Sequence, residues 1–153
     1  MPKPVTLVAF DFGTRRIGLA TGDTLTRTAR GLSTLDCARG TPWAAIDKVC
    51  ADLQPAQLIV GLPHNMDGTP TALTPAARSF AAELAERYRK PVTLVDERLS
   101  SREAEAELRD ARATGLKRGR TTHADVDMIA ARILLERWFA GEGEAHTMRA
   151  HDP

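Results

Sequence analysis

The chain is short of several things, and each shortage narrows what it can be. Only two of its 153 residues are cysteine, Cys37 and Cys50. Their spacing matches no metal-ligand pattern, so reduced thiols in a cytoplasmic protein are the expectation. Aromatic residues make up 5% of the chain, which leaves little surface for stacking against flat ligands. No apolar run approaches the roughly 20 residues that cross a bilayer. The N-terminal residues also lack the apolar core of a signal peptide, so no membrane partner is expected. The formal net charge is only +1, so the molecule as a whole is no obvious polyanion binder. Neither an internal repeat nor a linker divides the sequence. With 42% hydrophobic and 27% charged residues, the expectation is one globular domain over residues 1–140. A polar, glycine-containing, flexible tail would occupy 141–153.

What is present begins with an apolar and β-branched run, Val5–Gly13, bounded by Pro4 and Gly13. It reads as a buried strand. Asp11 stands out between Phe10 and Phe12, because burying a lone carboxylate is costly unless donors or a cation meet it. An Asx-turn onto the Gly13-Thr14 backbone would meet that need, and so would a metal ion. Arg16–Thr21 reads as a second strand, joined to the first in a hairpin through Gly13–Arg15. A weaker third strand covers 29–35. Thr41-Pro42 supplies a hydroxyl N-cap with proline at the first helical position, and Trp43, Ile46, Val49 and Leu53 give that helix its core face. Leu58–Val60 is a fully apolar strand leading into the turn-rich loop Gly61–Thr69. Thr74-Pro75 opens a helix to about Arg89, and Val92–Val95 is the fifth strand. Ser100 with Glu103 forms a capping box for a further helix. Thr122 caps the last, to about Phe139, with Val126, Ala130, Ile133, Leu134 and Trp138 as its apolar stripe. Strands linked through helices imply a parallel portion, and the leading hairpins imply an antiparallel one. A mixed five-stranded sheet flanked by helices on both faces is therefore expected.

Three acids fall in telling places: Asp11 at the end of the first strand, Glu97 just past the fifth, and Asp127 in the first turns of the last helix. Open sheets bind ligands beyond the carboxyl ends of their strands. Separately, Glu97 could pair with Arg98 or Arg102, and Asp127 could simply complement the helix dipole. Together, converging carboxylates repel unless divalent cations neutralise them. Oxygen ligands with room for water suit Mg²⁺ or Mn²⁺, the ions that serve hydrolysis of a phosphodiester. Asp67 and Asp125 are reserve acids, and His64 and His123 lie close enough in sequence to hold a proton or a phosphate. Residues 111–120 carry Arg112, Lys117, Arg118 and Arg120 with no acid, so they read either as a phosphate-gripping arm or as a solvated loop.

The segments Phe10–Ala20, Val60–Pro63 with Asn65–Thr69, Asp96–Ser101, and Asp127 leading Ala130-Ala131 and Ile133–Glu136 resemble the YqgF/RuvX family of RNase H-like nucleases. They run in order over nearly the whole chain. The resemblance implies an RNase H-like fold and a divalent-metal nuclease. Its suggested tasks are trimming the 5′ end of pre-16S rRNA and resolving Holliday junctions. It also implies an acidic triad of Asp11, Glu97 and Asp127, with Arg15, Arg16 and the Asn65–Thr69 loop beside the site. Arg15, Arg16, Lys117, Arg118 and Arg120 are the candidate nucleic-acid contacts. The partner would be structured RNA or branched DNA, recognised by shape and backbone. Junction cutting would need two sites in a two-fold homodimer, whereas trimming would not.

Two other readings stay open at this level. Asp-Phe-Gly-Thr also resembles the first phosphate motif of actin-like ATPases and sugar kinases, although their glycine-rich follow-up motifs are missing. The chain could also be a non-catalytic ribosome-assembly or nucleic-acid-binding factor on a nuclease-like fold.

Overall fold

The computed structural model describes residues 4–62, 71–96, 106, 123–141 and 145–148. Among the described residues, nine elements follow in chain order: β1 (Thr6–Asp11), β2 (Arg16–Asp23), β3 (Thr28–Asp36), α1 (Trp43–Leu53), β4 (Gln57–Leu62), α2 (Thr74–Tyr88), β5 (Val92–Asp96), α3 (His123–Ala140) and β6 (Ala145–Met148). They build one mixed sheet in the order β3-β2-β1-β4-β5-β6. The β1–β2 and β2–β3 pairs are antiparallel. β1, β4 and β5 are mutually parallel, with α1 leading into β4 and α2 into β5. The carboxyl ends of those three strands therefore share one edge of the sheet.

Strand parity sorts the side chains into two cores. Val8, Phe10, Leu58, Val60, Val92 and Leu94 face one way, against Ile46 of α1 and Phe80, Ala81 and Leu84 of α2. Leu7, Ala9, Ile59 and Val95 face the other way, against Leu134, Leu135 and Phe139 of α3. Each fully buried leucine or phenylalanine contributes about 1.5–3 kcal/mol by leaving water. On the first face, Arg87 forks onto Asp47 through Nε and Nη2 (2.9 and 2.8 Å), and the Tyr88 hydroxyl donates to the same carboxylate. Arg87 also lies over the Trp43 ring. This clamp ties α1 to α2.

Small residues let α3 lie close to the sheet. A Cβ on Gly31 would come 3.3 Å from the Met128 Cβ. At the helix start, the Thr34 hydroxyl donates to the Ala124 carbonyl at 2.8 Å. At its end, Arg27 donates to the Phe139 carbonyl. Gly141, at positive φ, closes the helix with its N–H on the Trp138 carbonyl.

The structure departs from the sequence expectations at three points. The sheet has a sixth strand: Ala145–Met148, within the segment expected to be a flexible tail, pairs antiparallel with β5. Backbone pairing to an open sheet edge needs no apolar pattern, so nothing in the sequence announced it. Helix α1 begins one residue late, with Pro42 as its N-cap and no side-chain cap bond. Thr74 lies inside α2 and not at its cap, and its hydroxyl accepts from the Thr71 N–H. The helix expected after Ser100 lies outside the described residues, save Ala106, which is helical.

Candidate active site

Asp11 ends β1 half-buried. Two residues beyond Ala9, it takes the face on which α3 packs. Its cross-strand partner on β2 is Gly18. That position cannot carry a side chain: a Cβ there would sit 2.1 Å from the Asp127 carbonyl oxygen and 2.4 Å from its carbon. The backbone of Asp127 thus rests on the residue directly opposite Asp11. Directly opposed residues of an antiparallel pair have Cβ atoms about 4.5–5.5 Å apart, so acids separated by more than a hundred residues in sequence meet around one glycine. On the other side of Asp11, the parallel β1–β4 register runs through Phe10–Val60, and the next residue of β4 is again a glycine, Gly61.

Asp127 is held from β2 as well. Arg16, two residues before Gly18 and on the same face, donates from Nε to Asp127 Oδ2 at 2.7 Å. The pair is only partly exposed, 36% for the arginine side chain and 20% for the aspartate. Its own contribution to stability is on the order of 1 kcal/mol or less, so its importance lies in geometry. Arg15 is exposed in the preceding turn, its carbonyl accepting from the Cys37 N–H at 2.9 Å. A cleft of about 610 Å³ opens here, lined by Thr14, Arg15, Arg16, Thr34, Asp36 and Ala124, among others. Cys37 also lines it. Burial, and then the Asp36 carboxylate, pushes the Cys37 thiol above its ordinary value. It stays a neutral thiol near neutral pH, which removes it as a nucleophile.

The structure therefore brings together Asp11, Asp127 and Arg16, with Arg15 at the mouth of the adjoining cleft. Asp125 is half-buried in the first turn of α3. His123 begins that helix, its side chain outside the described set. Glu97, Lys117, Arg118, Arg120, Asp67 and His64 lie outside the described residues. Among those described, no group of three or more His, Cys, Asp or Glu residues converges. The donor set formed by Asp11 and Asp127 is all oxygen, which fits a hard divalent cation and not a soft one. The Arg16–Asp127 pair and the seat on Gly18 escaped the sequence reading. Their only signal was the alternation Arg16-x-Gly18 on one strand, which places both on one face but does not say what covers it.

A mixed sheet in this strand order, helices on both faces, and an acid ending the first strand beside an acid of the final helix define an RNase H-like nuclease. Comparison with known proteins agrees. The family model described as "RuvX: Holliday junction resolvase" matches residues 5–141. A Dechloromonas aromatica protein named "Putative pre-16S rRNA nuclease" is 44% identical over 135 residues, 88% of this chain and 90% of that one. One of the same name from Glaesserella parasuis is 47% identical over 137 residues, 88% of this chain and 95% of that one. Among solved structures, T. thermophilus RuvC in complex with Holliday junction substrate aligns with a TM-score of 0.56. It covers 93% of this chain and 99% of that one at 16% identity, a likeness of fold. The chain belongs to the RuvX family, and with it to the nucleases that depend on divalent metal. No helix among the described residues is long and apolar enough to cross a membrane.

Proposed function

We propose that the chain hydrolyses phosphodiester bonds in structured nucleic acid at a site formed by Asp11, Glu97 and Asp127, loaded with Mg²⁺ or Mn²⁺. The observation that carries this reading is the seating of Asp127 on Gly18, the cross-strand partner of Asp11. Glu97 follows Asp96, the last residue of β5. β5 lies two strands from β1 in the sheet, about 10 Å away at the usual spacing. Glu97 is included in the site on the strength of the family resemblance.

A divalent cation held there would supply Lewis acidity toward the scissile phosphate. The protein's own groups do the rest. Asp11 and Asp127 present oxygen donors from a strand and a helix, both fixed by packing. Arg15 meets backbone phosphates through charge-assisted hydrogen bonds, and Arg16 lines the same cleft. Lys117, Arg118 and Arg120 add a remoter grip. With so few aromatic residues, recognition proceeds by shape and backbone. Residues 1–140 form the nuclease domain on this reading, and the cytoplasm is its place of work.

The name shared by the relatives favours 5′-end trimming of pre-16S rRNA. The family description favours four-way junctions as a second reading, which would require a two-fold homodimer. The test is cleavage of a pre-rRNA 5′ leader and of a synthetic four-way DNA junction with Mg²⁺ or Mn²⁺, comparing wild type with Asp11→Asn and Asp127→Asn. Each variant should lose at least about 100-fold in rate, the scale of a removed electrostatic stabiliser. Equal cleavage by wild type and both variants would reject the site.

A further inference from the structure

Two adjacent arginines stand beside the acids, and the structure treats them differently. Arg15 is exposed in the β1–β2 turn. Arg16 begins β2 and has the parity of Gly18, so it faces α3. Its Nε, the donor nearest its stem, bonds Asp127 Oδ2 at 2.7 Å. Among the described residues Oδ1 of Asp127 has no such partner. The Asp127 backbone cannot move toward the sheet, because Gly18 already lies against it. Thr34 pins the Ala124 carbonyl one turn earlier. What remains free to vary is the rotation of the Asp127 side chain, and Arg16 removes that freedom. The same guanidinium offsets the repulsion between the two acids.

We propose that Arg16 is a positioning residue, fixing the orientation of the Asp127 carboxylate through Nε, and that Arg15 alone of the pair grips substrate phosphate. The proposal rests on the nuclease reading but can be separated from it.

The separating variants follow from covalent geometry. The side-chain amide nitrogen of glutamine lies the same number of bonds from Cα as the Nε of arginine. Arg16→Gln therefore keeps a donor where Asp127 needs it and loses the charge and both terminal nitrogens. Arg16→Met loses all three. With the full chain, a four-way DNA junction and Mn²⁺, Arg16→Met should lower kcat roughly 10–100-fold, as loss of a partner that orients a metal ligand does. Arg16→Gln should recover most of that loss. Junction binding in EDTA should keep its affinity and salt slope in both variants. Arg15→Met should weaken binding and lower the slope of log K against log salt by about 0.9, one phosphate's worth. Recovery absent in Arg16→Gln, together with a slope reduced in both Arg16 variants, would make Arg16 a phosphate ligand and overturn the proposal.

If the wild type cleaves neither the junction nor a pre-rRNA 5′ leader, the nuclease reading falls by itself, and amide hydrogen exchange over residues 124–128 still tests the arginine. Faster exchange in Arg16→Met but not in Arg16→Gln supports positioning, and equal exchange in all three proteins refutes it.

Discussion

Gly18→Ala is the smallest change that should undo the site. The added carbon would lie 2.1 Å from the Asp127 carbonyl oxygen, 2.4 Å from its carbon and 3.0 Å from its Cβ. The closest common C···O approaches are about 3.3 Å, so helix and strand must separate by about 1.2 Å. Neither can do so cheaply. Gly18 is locked in register between Asp11 on β1 and Thr34 on β3, and Leu134 and Leu135 of α3 are fully buried against the sheet. Overpacking of this kind costs about 1–3 kcal/mol. At about 2–4 °C per kcal/mol for a domain this size, that lowers Tm by roughly 2–12 °C. The shift also carries Asp127 away from Asp11, and a displacement of about 1 Å in a catalytic constellation costs on the order of 100-fold in rate. The assay pairs a thermal melt with junction or leader cleavage well below the new Tm. Gly31→Ala, whose Cβ would come no nearer than 3.3 Å to any neighbour, the Met128 Cβ, is the graded control and should be milder in both readouts. A Gly18→Ala protein that melts within about a degree of wild type and cleaves within twofold would refute the close seating of α3 and the convergence built on it.

The clamp on the opposite face gives a pH prediction. The Arg87 and then the Tyr88 hydrogen bonds hold Asp47 down to about 2, below its ordinary 3.8. A depressed carboxyl favours the fold above its ordinary value, and that contribution is lost as pH falls from about 4 through about 2. Melts of Asp47→Asn should accordingly be flatter across that window than those of wild type, and identical acid limbs would remove the clamp. Phe80 packs on Phe10, Phe12 and Trp43, with ring centroids 5.6, 5.0 and 5.9 Å away. Phe80→Ala should cost about 3–5 kcal/mol in chemical denaturation, and a loss under 1 kcal/mol would mean that this core is not packed as described. Neutralising Lys117, Arg118 and Arg120 together should weaken nucleic-acid binding and lower its salt slope by about 0.9 for each phosphate left unneutralised; an unchanged slope would count against the arm.

The strands that carry long-range order were legible because burial on both faces leaves a signature. Leu58–Val60 and Val92–Val95 are apolar but for Thr93, and the structure buries all of them. Asp11 was legible for the opposite reason, as a charge where the pattern demands none. Asp127 could be named from its place in the chain, but its neighbours could not. The approach of Gly18 to Asp127 joins residues more than a hundred positions apart, and a glycine in a strand looks the same whether a helix or solvent lies above it. Arg16 read as a phosphate ligand because a basic residue beside acids suits that role, and its bond to Asp127 spans 111 positions that no sequence pattern bridges. The edge strand β6 was hidden because its pairing is a property of backbone and not of side-chain pattern.

The central claim is that Asp11 and Asp127 hold one divalent ion between them. Crystals of the full chain soaked in Mn²⁺ and measured at the manganese absorption edge test it directly. The account predicts an anomalous peak within coordination distance of both carboxylates, lost in Asp11→Asn. Manganese bound elsewhere, or at this place equally well in Asp11→Asn, would contradict it.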